Sequence, residues 1–220
     1  MVYATNTVAV WGMRFMVSAI RRAAGEARRM GQPKQLLPLG GKPMVWRVAH
    51  QACRAGLAEV VVVTGAYAPE VERSLAGLPL RIVYNKDWRM GQSTSVRVGV
   101  QSLGTAEAAL FLLADQPMID VGLIRDMVSV YRAGDSSIVV PRNEGRQRNP
   151  ALFDLKRWKR KLLELSGDEG ARRIIACHPE AVGYVDVDDS SVFFDADTME
   201  EYERLVGVWA ARNPNRTSCI

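Results

Sequence analysis

A chain of 220 residues is the right length for one domain with a single substantial core. Apolar residues make up 48% and charged residues 24%, an ordinary balance for a soluble globular protein and not that of a disordered or membrane-embedded one. The net charge of +5 comes with no dense basic helix and no aromatic–basic interleaving, so an anionic small molecule explains it as well as nucleic acid does, and no nucleic-acid partner is expected.

Met1 to Phe15 lacks a positively charged leading region, and Arg14 interrupts its apolar stretch. It reads as a disordered extension ahead of a domain spanning 16–212, or as sequence before a true start at Met13; no signal peptide or membrane span is expected. The apolar run Met16 to Ile20 then leads to Arg21-Arg22 and to Ala23-Ala24-Gly25-Glu26-Ala27-Arg28-Arg29-Met30-Gly31-Gln32-Pro33-Lys34. An apolar run ending in small residues, glycine and clustered cations suits a phosphate site. Gly25 lets the backbone approach an oxyanion, Arg29 offers a planar fork and Lys34 a point charge, and Gly31 permits the turn between them. A basic loop that merely solvates itself is the alternative. The stretch is neither a P-loop nor a G-x-G-x-x-G fingerprint.

Beyond Leu36-Leu37-Pro38-Leu39 and the turn Gly40-Gly41-Lys42-Pro43, Met44 to Ala55 places Val45, Val48, Ala49 and Ala52 on one helical face, with Gly56 as its stop. The β-branched run Glu59 to Gly65 reads as a buried parallel strand, Pro69 to Leu75 as a short helix and Leu80 to Tyr84 as the next strand. Strands alternating with helices predict a doubly wound α/β domain, one mostly parallel sheet with right-handed crossovers. Asn85-Lys86-Asp87-Trp88 precedes Gly91-Gln92-Ser93-Thr94-Ser95, where clustered hydroxyls suit a helix N-terminus. Ala108 to Ala114 is the most apolar strand and ends abruptly in Asp115-Gln116-Pro117, the position at which open α/β sheets bind ligands. Asp115 lies too early to cap the helix expected over Val121 to Tyr131. Ser137 to Pro141 is a strand, and Arg142 to Arg148 is a basic, glycine-containing loop leading to Asn149-Pro150. Helices are expected at Lys156 to Leu165 and Gly170 to Cys177. A late strand at Val182 to Val187 could run antiparallel, and a last helix covers Glu200 to Trp209. Asp195 and Asp197, two positions apart, would point the same way on a strand; the alternative is a capped helix start. Three cysteines (Cys53, Cys177, Cys219) and two histidines (His50, His178) have no zinc spacing, and the odd cysteine count argues against a disulfide framework. A reducing cytoplasm is the expected location.

These motifs resemble those of the MobA-like nucleotidyltransferases over roughly Val17 to Leu205. The signature A-[AG]-G-x-S-x-R-M-G-x-x-K with Leu-Leu-Pro and Gly-Lys-Pro is matched by Ala23 to Pro43, except that Ala27 stands where the family has serine. Arg21-Arg22 also stand where its first strand carries apolar residues. The N-x-x-W…G-x-S-S-S segment is matched from Asn85 to Ser95, the [GA]-D-x-P motif at Asp115, the acceptor-facing [GR]-[NH]-P loop at Arg148-Asn149-Pro150, G-D-x-G-A-R at Gly167 to Arg172, and D-[IA]-D-T-x-E from Asp195. The resemblance implies a nucleotide bound by Ala23, Ala24, Gly25, Lys34, Asn85, Gly91, Ser93 and Ser95. It implies Arg29, Lys34 and Asp115 as catalytic groups, Mg²⁺ on Asp115 and Asp197, and an acceptor on Arg148 and Asn149.

By the same resemblance the substrates are a nucleoside triphosphate and a phosphorylated small molecule, the terminal phosphate of molybdopterin. Ala-Ala-Gly at 23–25 points to CTP, and a molybdoenzyme is the partner that would use the product. Some relatives are instead assigned as oxidoreductases that reduce a quinone-like dye, nicotine blue, with NAD(P)H; Arg21-Arg22 could then meet a 2′-phosphate. A non-catalytic chaperone of the molybdenum cofactor is a third reading, which the full set of Arg29, Lys34, Asp115 and Asp197 argues against.

Overall fold

A computed structural model describes residues 14–18 and 33–214. Its strands are β1 (Arg14–Ser18), β2 (Pro38–Leu39), β3 (Lys42–Pro43), β4 (Glu59–Thr64), β5 (Arg81–Tyr84), β6 (Ala108–Leu113), β7 (Ile138–Asn143), β8 (Arg146–Gln147), β9 (Ala151–Asp154) and β10 (Val182–Asp186). Between and after them lie α1 (Met44–Arg54), α2 (Ala68–Ser74), α3 (Gln92–Ser102), α4 (Val121–Arg132), α5 (Leu155–Leu163), α6 (Arg172–Cys177) and α7 (Met199–Arg212).

Strand alternation builds the layers. On β4, Val60 and Val62 enter one core while Val61 and Val63 enter the other; on β6, Ala108, Leu110 and Leu112 are divided from Ala109 and Phe111 in the same way. A strand buried on both faces needs helices on both, which is why β4 and β6 read as continuous apolar runs. The first core receives Val45, Val48, Ala49 and Ala52 of α1 with Leu123, Ile124 and Met127 of α4. The second receives Val96 and Val100 of α3 with Leu155, Trp158 and Leu162 of α5. The main sheet runs β10-β7-β9-β6-β1-β4-β5, with β8 paired to β7, and the chain is thus a mostly parallel doubly wound α/β fold.

In the main sheet β9 runs antiparallel to β6 and β7, and β8 antiparallel to β7, whereas β10 runs parallel to β7. The late strand expected as a candidate antiparallel element is therefore corrected. The chain passes from β7 into β9 through a short hairpin, a connection that reverses direction. It reaches β10 only after α5 and α6, and this second reversal of direction brings β10 in parallel to β7. β1 starts at Arg14 and not at Met16. Asp120 caps α4 by accepting from the Leu123 N–H at 2.9 Å, so Asp115 is released from that duty.

A small third core lies under α7. Leu205 and Trp209 pack with Leu37, Leu39, Met44, Met118 and Ala196, and α7 starts in a reciprocal cap between Thr198 and Glu201. Gly40, at φ +54°, lies under the Trp209 indole so closely that a Cβ there would stand 2.0 Å from Cη2. The hairpin β2–β3 is thus held against α7, and it fixes the short 3₁₀ turn Lys34–Leu36 immediately before it.

Candidate active site

The expected site residues that lie within the described parts of the chain gather at the carboxyl ends of the sheet strands. Asp115 follows β6 in a turn closed by the Gln116 N–H donating to Leu113 O at 3.1 Å. Lys34 is buried, 7% exposed, and its Nζ lies 2.9 Å from Asp115 Oδ2. The same ammonium donates to Asp197 Oδ1. Asp197 is held from its other side, where its N–H and that of Thr198 donate to Glu201 Oε2 at 2.8 and 2.9 Å. A helix cap thereby also fixes an acidic side chain in the site.

Asp195 completes the cluster. One carboxylate oxygen each from Asp115, Asp195 and Asp197 lie within 4.8 Å of one another. The segment is not a strand as expected but an irregular stretch between the 3₁₀ turn Ser190–Phe193 and α7. Both carboxylates reach the same point nonetheless, because Ala196 between them is fully buried in the third core. Burial, and then the negative charge of Asp115 and Asp197, push the Asp195 carboxyl above its ordinary range. Three carboxylates and no nitrogen or sulfur donor form a set suited to a hard divalent cation. The Lys34 ammonium is bonded to two of these three carboxylates, those of Asp115 and Asp197.

Asn85, directly after β5, is 1% exposed and donates from Nδ2 to Thr94 Oγ1 at 2.8 Å and to Ser95 Oγ at 2.7 Å. Its Oδ1 accepts from the Asp87 N–H at 3.0 Å, so this amide ties the strand end to the start of α3. Ser93 and Ser95 are fully buried, and Ser93 Oγ has no hydrogen-bond partner among the described residues. Gly91, at φ +107°, accommodates the loop from Gly167 to Gly170: Gly167 O accepts from the Ser93 N–H at 3.1 Å, and a Cβ on Gly91 would stand 2.3 Å from that oxygen. Arg148 and Asn149 precede β9. Since Ala151 pairs with Phe111, the chain before it continues past the carboxyl end of β6, on the same edge as Asp115. Arg148 Nε is buried without a partner among the described residues.

Ala23, Ala24, Gly25 and Arg29, with Arg21-Arg22, lie outside the described residues. Two features escaped the sequence reading. Asp195 was visible only as the first carboxylate of a D-x-D spacing, and the docking of Gly167 to Gly170 on Gly91 was not readable, although both stretches carry family motifs.

The MobA-like NTP transferase domain matches residues 22–182. The chain belongs to this family. It is a nucleotidyltransferase, and its fold agrees with solved structures as well as with sequence. It is 34% identical over 197 residues to nicotine blue oxidoreductase of Paenarthrobacter nicotinovorans, covering 86% of this chain and 96% of that protein. It is 32% identical over 196 residues to purine catabolism protein PucB of Bacillus subtilis, covering 83% and 92%. Among solved structures, the homologue of Mycobacterium tuberculosis Rv0371c from Mycobacterium sp. strain JC1 superposes with a TM-score of 0.76 at 29% identity, covering 90% of this chain and 98% of that one. No helix of the described residues is long and apolar enough to cross a membrane.

Proposed function

We propose that this MobA-like protein transfers CMP from CTP to the terminal phosphate of molybdopterin and releases pyrophosphate. The observation that carries the reading is the buried Lys34 ammonium between Asp115 and Asp197, with Asp195 beside them, at the carboxyl edge of the sheet. An acceptor phosphate oxygen attacks the α-phosphorus as the bond to the α–β bridging oxygen breaks, and the electron pair leaves with pyrophosphate. Such a reaction needs positioning and charge more than covalent help. Asp115 and Asp197, with Asp195 adjoining, would hold Mg²⁺, which supplies neutralisation of triphosphate charge.

Lys34 then exchanges its carboxylate partners for the β- and γ-phosphates. Arg29 shares that task, and Ala23, Ala24 and Gly25 line the nucleotide, with Ala24 favouring cytosine. Asn85, Gly91, Ser93 and Ser95 shape the nucleotide side, while Arg148 and Asn149 face the acceptor. The reaction belongs to the cytoplasm, with a molybdoenzyme receiving the product.

A second reading rests on one observation, the 34% identity over nearly the whole length of a protein named nicotine blue oxidoreductase. NAD(P)H would then reduce a quinone-like dye in the same groove. A hydride transfer has no use for three clustered carboxylates and a buried lysine, and the transferase reading is preferred on that ground. The test incubates the protein with each nucleoside triphosphate, Mg²⁺ and molybdopterin and measures pyrophosphate, then measures NAD(P)H oxidation with quinone acceptors in EDTA. CTP-dependent pyrophosphate release is expected. Magnesium-independent NAD(P)H oxidation without pyrophosphate release overturns the proposal.

A further inference from the structure

The segment joining β10 to the Asp195–Asp197 pair crosses the carboxyl ends of β7 and β6, and side chains from those strand ends hold it. Asn143, the last residue of β7, is 2% exposed and donates from Nδ2 to Val187 O at 2.8 Å and to Asp188 O at 3.3 Å. Gln116, the residue after Asp115, is 6% exposed and donates from Nε2 to Phe193 O at 3.4 Å. Both amides therefore direct their NH₂ groups into the backbone of one segment, 187–193. Further contacts fasten the same stretch. The Val187 N–H donates to Arg142 O at 2.9 Å, Arg212 of α7 pairs with Asp189, and Val192 and Phe193 are buried in the first core. Asp195 stands two positions beyond the carbonyl that Gln116 holds.

We propose that Asn143 and Gln116 are positioning residues whose side-chain amides clamp the 187–193 segment and so fix Asp195 and Asp197 opposite Asp115. The inference rests on reading those three carboxylates as the cation site. A cation site with an irregular segment for one wall depends on whatever immobilises that segment, since carboxylates displaced by a fraction of an ångström no longer converge. Gln116 has a particular place in this scheme. It follows Asp115 directly, so one turn presents a carboxylate to the site and an amide to the segment bearing the other two.

The test uses Asn143→Leu and Gln116→Met, which keep side-chain volume and remove the donors, with Mn²⁺ as the probe and paramagnetic resonance as the readout. Tyr131→Phe is the control: it removes a 2.7 Å hydrogen bond to Asp154, which lies at the opposite, amino-end edge of β6. Each clamp variant should bind Mn²⁺ about tenfold more weakly than the unaltered protein, and the double variant more weakly still. Tyr131→Phe should lower the melting temperature with no change in Mn²⁺ affinity. Unaltered Mn²⁺ affinity in folded Asn143→Leu and Gln116→Met overturns the clamp alone, as does an equal loss in Tyr131→Phe. Absence of Mn²⁺ binding in the unaltered protein overturns the cation site and the clamp together.

Discussion

Lys34 Nζ and Asp115 Oδ2 are 2.9 Å apart, and both side chains are largely withdrawn from solvent. A buried pair of this kind carries a large desolvation cost, and removing one partner strands the other's charge. Here the stranded charge is shared by a cluster that a divalent ion can neutralise. Under the proposed transfer, Lys34 would compete with the cation for these carboxylates and join it in meeting the triphosphate.

Lys34→Met should separate those two roles. Mn²⁺ affinity without nucleotide should rise about tenfold, roughly 1.4 kcal/mol, because the resident counter-charge has gone. Turnover with CTP should fall, since a charge-assisted phosphate contact worth about 1.5–3 kcal/mol is lost. Titration of Mn²⁺ and steady-state kinetics on one preparation check both halves. A variant weakened in metal binding and unchanged in turnover would remove Lys34 from the phosphate site.

Asp115→Asn and Asp197→Asn should keep the fold and lower transfer by at least about a hundredfold, on the order of 3 kcal/mol. Asp195→Asn should do less, because Asp195 only adjoins the two carboxylates proposed to hold the cation. Comparing kcat across the three at saturating Mg²⁺ gives the order; equal effects at all three positions would mean equal roles.

Much of this molecule was legible from residue pattern. The apolar runs at Glu59 to Thr64 and Ala108 to Leu113 were readable because central strands are buried on both faces, and Asp115 because it breaks such a run abruptly. Strand direction at Val182 was not readable, since it depends on which earlier strand the chain returns to and not on its own side chains. Asp195 and Asp197 were visible as a spacing, but the reason they converge lies elsewhere: Ala196 is anchored in a core made by α7 and the β2–β3 hairpin. By pattern alone the hydroxyls of Ser93 and Ser95 read as a helix start, and only the family resemblance pointed to a nucleotide contact. The Ser93 N–H donates to Gly167 O, in a segment more than seventy residues away in the chain, and the Ser95 hydroxyl accepts from Asn85.

Gly40→Ala should destabilise the protein by about 2–4 kcal/mol, because a Cβ there meets the Trp209 indole at 2.0 Å and φ is +54°. Gly41→Ala shares the positive φ, +78°, but meets nothing within 4 Å, and should cost only the backbone part. Urea unfolding of the two variants separates contact from conformation. Equal losses would show that Trp209 yields.

The Asp186 carboxyl is held below its ordinary range by a hydrogen bond from Arg142, joined by that guanidinium's charge, against a smaller opposing effect of desolvation. A depressed folded-state value means that the pair's contribution is present above the unfolded carboxylate pKa, about 3.9, and is lost as pH falls through the lower folded value. The stability gap between the unaltered protein and Arg142→Gln should thus be constant near neutrality and close at the acid end. Urea midpoints from about pH 7 down to about pH 2 test this. A gap that widens on acidification contradicts the sign.

Gly91→Ala probes how the Gly167–Gly170 loop is seated on the start of α3, the proposed nucleotide side. The added Cβ would stand 2.3 Å from Gly167 O, and a φ of +107° is one that alanine rarely adopts. Relief requires the loop to withdraw, which breaks the 3.1 Å bond from the Ser93 N–H to Gly167 O and exposes the start of α3. Gly134→Ala, at φ +88° with nothing within 4 Å, imposes a comparable backbone cost with no such contact. Amide hydrogen exchange should therefore accelerate at Ser93 and across 166–170 in Gly91→Ala and stay unchanged there in Gly134→Ala. KM for the nucleotide should rise with the loop's release while kcat changes less, because Lys34 and the carboxylates are untouched. Unchanged exchange across 166–170 in Gly91→Ala would show that the loop does not depend on this contact, and the nucleotide side would then owe its shape to Asn85 and its hydroxyl partners alone.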